Sequence, residues 1–315
     1  MSIVVAGSIN VDFILRVAAL PRPNETVAGL DMTVAVGGKG LNQAVACARQ
    51  GVATRMIAAV GDDALGGQAR ACLVDNGVDT AGVQTLPGVA TGVANIFVAA
   101  DGQNMIVVTP GANGRLTPAM VEANEDAIAG AKALIVQLET PLDAVRRALE
   151  LARRHGVMTV LNPAPARAEA RTLFPLADLV TPNETELAAL TGIDGQDDRA
   201  LTRALRALTD AGAEQALVTL GAQGCAALAS GVLHRVPAFA VAAVDATGAG
   251  DHFNGALVSR LVAADDLVAA MRFASAASAL SVTRPSADSA PTKAEVERFL
   301  KKNGLKKNGL RSATP

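Results

Sequence analysis

Residues 133–163 read ALIVQLETPLDAVRRALELARRHGVMTVLNP. A short apolar run opens the stretch, a longer Ala/Leu-rich segment follows, and a second apolar run closes it at Val157–Pro163. This is the pattern of strand, helix, strand. Two strands joined by a crossover helix lie parallel in one sheet. The same alternation extends in both directions. IVVAG (Ile3–Gly7), RMIAAVG (Arg55–Gly61), ADLVTPN (Ala177–Asn183) and QALVTLG (Gln215–Gly221) read as buried strands. Gly40–Gly51 and Asp63–Gly77 read as helices that end at a glycine. The expected fold is α/β: a three-layer α/β/α domain with a mostly parallel central sheet and helices on both faces.

Two segments break the alternation. Residues 11–36 carry strand-like patterning with prolines and no helix, and residues 90–109 place Asp101-Gly102 between two β-rich runs, a hairpin signal. Either they form a small sheet beside the main domain, placed to act as a lid, or they are edge strands of the main sheet. On the first reading, residues 1–10, 37–89 and 110–302 make the large domain, 11–36 and 90–109 the β lid. Thr292 and Glu295 have the spacing of a capping box for a last helix. The repeat LKKNGLKKNGL beyond it lacks an apolar face, so residues 303–315 are expected to be a disordered tail.

Composition narrows the function. A formal net charge of −2 provides no basic excess for a nucleic-acid backbone. Trp and Tyr are absent and Phe occurs seven times, too few aromatics for a base-stacking platform. Cys47, Cys72 and Cys225 are far apart and suit no metal-ligand spacing, and they read as reduced thiols of a cytoplasmic protein. The start of the chain has no basic segment ahead of its first apolar run, so no signal peptide is expected. The longest uncharged run, Thr80–Ala100, is interrupted by Gln84, Pro87 and Asn95, so no membrane helix is expected.

In open α/β sheets, ligands bind beyond the carboxyl ends of the strands. Asn10 and Asp12, Gly61 and Asp62, Glu139, Asn162, Asn183 with Glu186, and Gly221 with Gly224 all follow strand patterns. Each alone suits a helix cap; together they suggest a hydrophilic cleft for a hydroxyl-rich ligand. GGKGLNQA (Gly37–Ala44) fails the Walker pattern, and by itself reads as a plain turn with an exposed lysine. TGAGD (Thr247–Asp251) opens a helix marked by Phe253, Leu257 and Leu261. Free N–H groups at a helix start, with small residues at Gly248, Ala249 and Gly250, make an anion cradle. Asp251 beside that cradle reads two ways. It is a base that accepts a hydroxyl proton during phosphoryl transfer, kept ionised by the helix dipole, or it is an ordinary first-turn carboxylate.

These stretches, with VGDD, GANGRLTPA, QLETP, NPAPAR, TPNETE and TLGAQG in order between GSINVD and VTR, resemble the ribokinase branch of the PfkB carbohydrate kinase family. The resemblance implies a ribokinase-like domain with a small β-sheet lid, a homodimer clasped through the lids, and ATP-dependent phosphorylation of D-ribose at O5. It implies that Asn10, Asp12, Gly38, Lys39, Asn42 and Glu139 hold the sugar. Asp251 is then the base and Gly248–Gly250 the anion hole. Asn183 and Glu186 organise Mg²⁺ and the phosphates through water, and Thr219, Gly221, Gly224, Gly250 and Ser275 line the nucleotide site. Asp245, with the backbone at Thr247 and Ser286, is the implied site of a monovalent cation, K⁺. Three positions depart from the pattern: His252 follows the base where threonine is common, Ser286 replaces a glycine and Ala290 a serine. Kinases of 2-deoxyribose, of a phosphorylated sugar or of a nucleoside remain alternatives within the family. A non-catalytic sugar sensor is the alternative outside it.

Overall fold

The computed structural model describes residues 2–229, 231–284 and 290–308. Its first third runs β1 (Ser2–Ala6), β2 (Asn10–Val17), β3 (Gly29–Gly37), α1 (Lys39–Arg49), β4 (Ala53–Gly61), α2 (Ala64–Asp75), β5 (Val78–Leu86), β6 (Gly92–Ala99) and β7 (Asn104–Thr109). Then come α3 (Pro118–Glu122), α4 (Glu125–Ala129), β8 (Ala133–Val136), α5 (Leu142–Arg154), β9 (Met158–Leu161), β10 (Leu179–Val180), α6 (Glu184–Thr191) and α7 (Asp198–Asp210). The chain closes with β11 (Gln215–Thr219), β12 (Cys225–Ala229), β13 (Val232–Val236), α8 (Ala249–Leu261), α9 (Leu267–Ser281) and α10 (Lys293–Asn308).

Nine strands form the main sheet in the order β13-β12-β11-β10-β9-β8-β1-β4-β5. All pairs from β5 to β11 are parallel, and β12 and β13 add an antiparallel edge. Alternation along the strands feeds two cores. Val4 and Ala6 of β1, Leu134 and Val136 of β8 and Val218 of β11 pack on one face with α3–α7. Ile3, Val5, Ala133, Ile135 and Leu217 pack on the other with α1, α2 and α8–α10. Both faces are covered, as a parallel sheet requires.

The two aberrant segments meet in a second sheet of four strands, ordered β3-β2-β6-β7. The Asp101-Gly102 turn joins β6 to β7 as an antiparallel hairpin. Two sequence expectations need adjustment. The ADLVTPN strand shrinks to Leu179–Val180, because Pro182 and the helix cap at Asn183 follow at once. Helix α10 runs on to Asn308 rather than stopping at 302, since the Lys and Leu of the repeat are good helix formers and one Gly does not end it. Residues 309–315 of the expected tail, and Ser286, lie outside the described residues. Among the described residues no helix is long and apolar enough to cross a membrane.

Candidate active site

The segments that follow β1, β8 and β9 meet the first turns of α1, which in turn meets α8. Asp251, the third residue of α8, is 7% exposed. Its Oδ1 accepts from Gln43 Nε2 at 2.8 Å and its Oδ2 from Asn42 Nδ2 at 3.2 Å. Burial pushes the Asp251 carboxyl up, opposed by the Lys39 charge and by these two amides. From sequence, the helix start is expected to keep the residue ionised; burial works against it, toward the neutral form.

Gly248 caps α8 with φ 73°, a left-handed conformation that glycine adopts without strain. No side chain caps this helix, and Gly250 is exposed with open space where a side chain would be. The Ala249 N–H turns back to Ala246 O at 3.2 Å. Gly250 and Asp251 therefore offer the N–H groups that the helix leaves free of i→i−4 partners. His252 is buried, and its ring lies beneath Gly248.

Lys39 is not a bystander on a plain turn. Burial lowers its pKa, but the charges of Asp251, Glu139 and Glu186 outweigh that and raise it overall. Glu139 is fixed from two sides: Oε2 accepts from Ser8 Oγ and from the Lys39 backbone N–H at 3.1 Å. Asp12 lies against Gly37, with its carboxyl pushed up to about 6 by burial and by the neighbouring Glu139. Asn10 is buried and accepts from Asn113 Nδ2 at 2.8 Å. Asn113 also exchanges bonds with the backbone N–H and C=O of Ile9. Its amide thus fixes the polarity of Asn10 and leaves the Asn10 NH₂ available to a ligand. Four buried side-chain oxygens at this edge, the amide oxygens Asn42 Oδ1 and Gln137 Oε1 and the hydroxyls Thr140 Oγ1 and Thr181 Oγ1, have no hydrogen-bond partner among the described residues. Orphan polar atoms of this kind suit a ligand or water that brings hydroxyls.

Asn183 and Glu186 form a capping box on α6, each side chain bonded to the other's backbone N–H at 2.8 Å. Glu186 is 9% exposed; burial raises its pKa, against the Asn183 N–H and Lys39 and with a further push from Asp251. Thr219 bridges to Asn183 across the strand ends. Gly221 and Gly224 flank the short turn after β11. Ser275 is buried on α9, 3.5 Å from Cys225 Sγ. Asp245 Oδ1 accepts from the Thr247 N–H at 2.8 Å, and Val244 and Asp245 donate to Val282 O. Glu139, Asn183, Thr219, Gly221 and Gly224 follow strand ends of the main sheet, Asn10 and Asp12 stand on β2 of the second sheet, and Asp245 lies against the end of α9. Gln43, Asn113 and Gln137 were missed by the sequence reading. Gln43 sits inside the quoted GGKGLNQA, so its amide beside Asn42 was the available signal.

The description pfkB family carbohydrate kinase matches residues 1–294. The chain belongs to the pfkB family. Among relatives, the ribokinase of Haemophilus influenzae is 40% identical over 300 residues, covering 95% of this chain and 98% of its own. The deoxyribokinase of Salmonella typhi is 37% identical over 284 residues, covering 90% and 93%. A structure of Arabidopsis thaliana ribokinase complexed with ribose and ATP superposes with a TM-score of 0.90 at 30% identity, covering 95% of this chain and 98% of the other. In this pfkB chain, the fold expected from strand–helix alternation and the family expected from the ordered motifs are both found.

Proposed function

We propose that this carbohydrate kinase transfers the γ-phosphoryl group of ATP to O5 of D-ribose. The observation that carries the reading is Asp251, a buried carboxylate held by two amides beside open helix N–H groups. The O5 hydroxyl gives its proton to Asp251 as the bond from O5 to the γ-phosphorus forms. The bond from that phosphorus to the β,γ-bridging oxygen breaks, and ADP leaves with the electron pair. The Gly250 and Asp251 N–H groups, with the Gly248–Gly250 turn, face the charge that develops on the phosphoryl oxygens. Asn10, Asp12, Gly38, Lys39, Asn42 and Glu139 hold the sugar, and the orphan Asn42 Oδ1 accepts from one of its hydroxyls.

The nucleotide lies along Asn183, Thr219, Gly221, Gly224 and Ser275. Among the described residues no group of three His, Cys, Asp or Glu side chains could hold a metal directly. That suits Mg²⁺, which keeps several waters and is held by one or two carboxylates and the phosphates. Glu186 is the carboxylate nearest that role, with Oε2 committed to its cap. Mg²⁺ supplies neutralisation of phosphate charge. K⁺ activation rests on the Asp245–Thr247 turn. The four-stranded sheet, from residues 11–36 and 90–109, is the lid over the large domain, and two such lids clasp in a homodimer. The three well-separated cysteines, none in a metal-ligand spacing, are in keeping with a cytoplasmic location.

A second reading, 2-deoxyribose as substrate, is favoured by the deoxyribokinase relative. Asn10 and Asp12 argue for the fully hydroxylated sugar, because a missing hydroxyl leaves buried polar groups unpaired. The test is ADP release with ribose, 2-deoxyribose, fructose, adenosine and uridine as acceptors. Ribose is expected to give the highest kcat/KM; no turnover with ribose above background overturns the proposal.

A further inference from the structure

Asp251 reaches the cleft as one end of a chain of buried amides. Gln43, fully buried on α1, donates through Nε2 to Asp251 Oδ1 at 2.8 Å and to Asn162 Oδ1 at 3.0 Å. Its Oε1 accepts from Gln137 Nε2 at 2.6 Å. Asn162 in turn donates through Nδ2 to the Thr181 carbonyl at 2.9 Å.

Each orientation in this chain is forced by the next. A backbone carbonyl only accepts, so Asn162 turns its NH₂ to Thr181 and presents Oδ1 to Gln43. An ionised carboxylate also only accepts. Gln43 turned end for end would set its oxygen against two other oxygens, and Gln137 would face an NH₂ with an NH₂. Four strand ends and helices, at β8, β9, β10 and α1, thereby agree on a single position for one side chain of α8.

We infer that Gln43 is the positioning residue for the base: its locked amide fixes Asp251 Oδ1 and leaves Oδ2, which carries the longer bond from Asn42, as the oxygen that takes the hydroxyl proton. The inference rests on the proposed role of Asp251 as base. A donor on a carboxylate favours its ionised form, so Gln43 works against burial, which favours the neutral one. The other charges facing Asp251 are Lys39 from α1 and Glu186 from α6. From α9 comes the Ser278 hydroxyl, bonded to Ala249 O at 3.0 Å, and His252 follows on α8 itself. All of these stay in place when Gln43 is changed.

The test uses Gln43→Met, which keeps length and volume and removes the donor. kcat and kcat/KM are followed against pH on whichever sugar the wild type turns over, with thermal melts alongside. The loss of a hydrogen bond to a charged group predicts a fall in kcat of roughly 10- to 100-fold. The acidic limb of the pH profile is expected to move up by about one unit, and the sugar KM to stay within about threefold. Gln137→Met, which removes the donor to Gln43 Oε1 and leaves the Gln43–Asp251 bond, is expected to move the limb in the same direction by less. A folded Gln43→Met with the wild-type acidic limb overturns the inference, as does a loss confined to KM. If Gln43→Met does not fold, Gln137→Met decides: a shifted limb supports the inference and an unmoved one overturns it. An active wild type with unmoved variants sinks this inference alone. A wild type that turns over no sugar removes the kinase reading and this inference with it.

Discussion

Lys39 shows how much chemistry one side chain can gather. It is the positive centre for the carboxylates of Asp251, Glu139 and Glu186, which belong to the base, the sugar side and the phosphate side of the proposed site. Asp251→Asn removes the proton acceptor but keeps the shape. We expect kcat to fall by about 10²- to 10⁴-fold with little change in melting temperature, measured by coupled assay and calorimetry. Asp12 gives a pH prediction with a definite sign. Its carboxyl is pushed up to about 6, so it becomes ionised as the pH rises through that value. An ionised Asp12 accepts from two sugar hydroxyls, so KM for the sugar should fall between pH 5 and pH 7, in a titration centred about 6. In Asp12→Asn the dependence should be flat. Asp251 and Asp12 were legible in the sequence because each follows a strand or glycine turn in an ordered motif. Gln43 and Asn113 were not legible as partners, because their roles depend on which way a buried amide points. That direction is set by Asn162 and Asp251 for Gln43 and by Ile9 for Asn113, which the sequence does not place beside them.

At the scale of elements, α1 and α8 must touch closely for Gln43 to meet Asp251. Gly255 allows it: a Cβ there would run into Ala46 Cβ, and would stand 2.9 Å from Gln43 O. Gly255→Ala is expected to wedge the helices apart, destabilising the fold by about 1–3 kcal/mol and lowering kcat as the Gln43–Asp251 bond stretches. Denaturant unfolding and steady-state kinetics on the same preparation check both. Helix α10 offers a second test. Glu295 accepts from the Thr292 N–H at 2.7 Å, from its hydroxyl at 2.8 Å and from Arg284 at 2.6 Å. These donors hold its carboxyl down at about 2. Its contribution to stability is therefore present at neutral pH and lost as pH falls through the ordinary glutamate range to about 2. Glu295→Gln should melt lower than wild type at pH 7, with the gap closing on acidification. The capping box at Thr292 was readable from spacing alone, because a cap is a local device. The two-residue β10 was not, because the apolar run gives no sign that Pro182 and the cap at Asn183 end the pairing so early.

For the whole molecule, the four-stranded sheet carries most of the exposed large apolar residues among those described. Leu30, Met32, Val34, Met105, Ile106, Val107 and Val108 are all exposed apolar residues of it. Ile106 and Val107 point to opposite faces of β7, so neither face is fully covered. Ile106→Lys with Val107→Lys is expected to convert the proposed homodimer to a monomer by light scattering, leaving the melting of the large domain nearly unchanged. A wild type that is already monomeric at micromolar concentration overturns the clasp. Strand alternation carried the main sheet in the sequence, and the two segments without helices announced a second one. The antiparallel edge β12–β13 was not foreseen, because antiparallel and parallel strands look alike until their pairing is known.

The Gln43–Asp251 bond joins residues 208 positions apart. Residues emerge from a ribosome at ~5–20 per second, so roughly 10–40 seconds separate the synthesis of the two partners. For that interval a nascent chain carries α1 and its buried amides without the helix that completes them. In the proposed site the sugar side is made first, most of the phosphate side next, then the base, and Ser275 last. A chain released before residue 251 therefore carries most of the proposed sugar side without the proposed base, and its unsealed α1 face is one that a chaperone would meet.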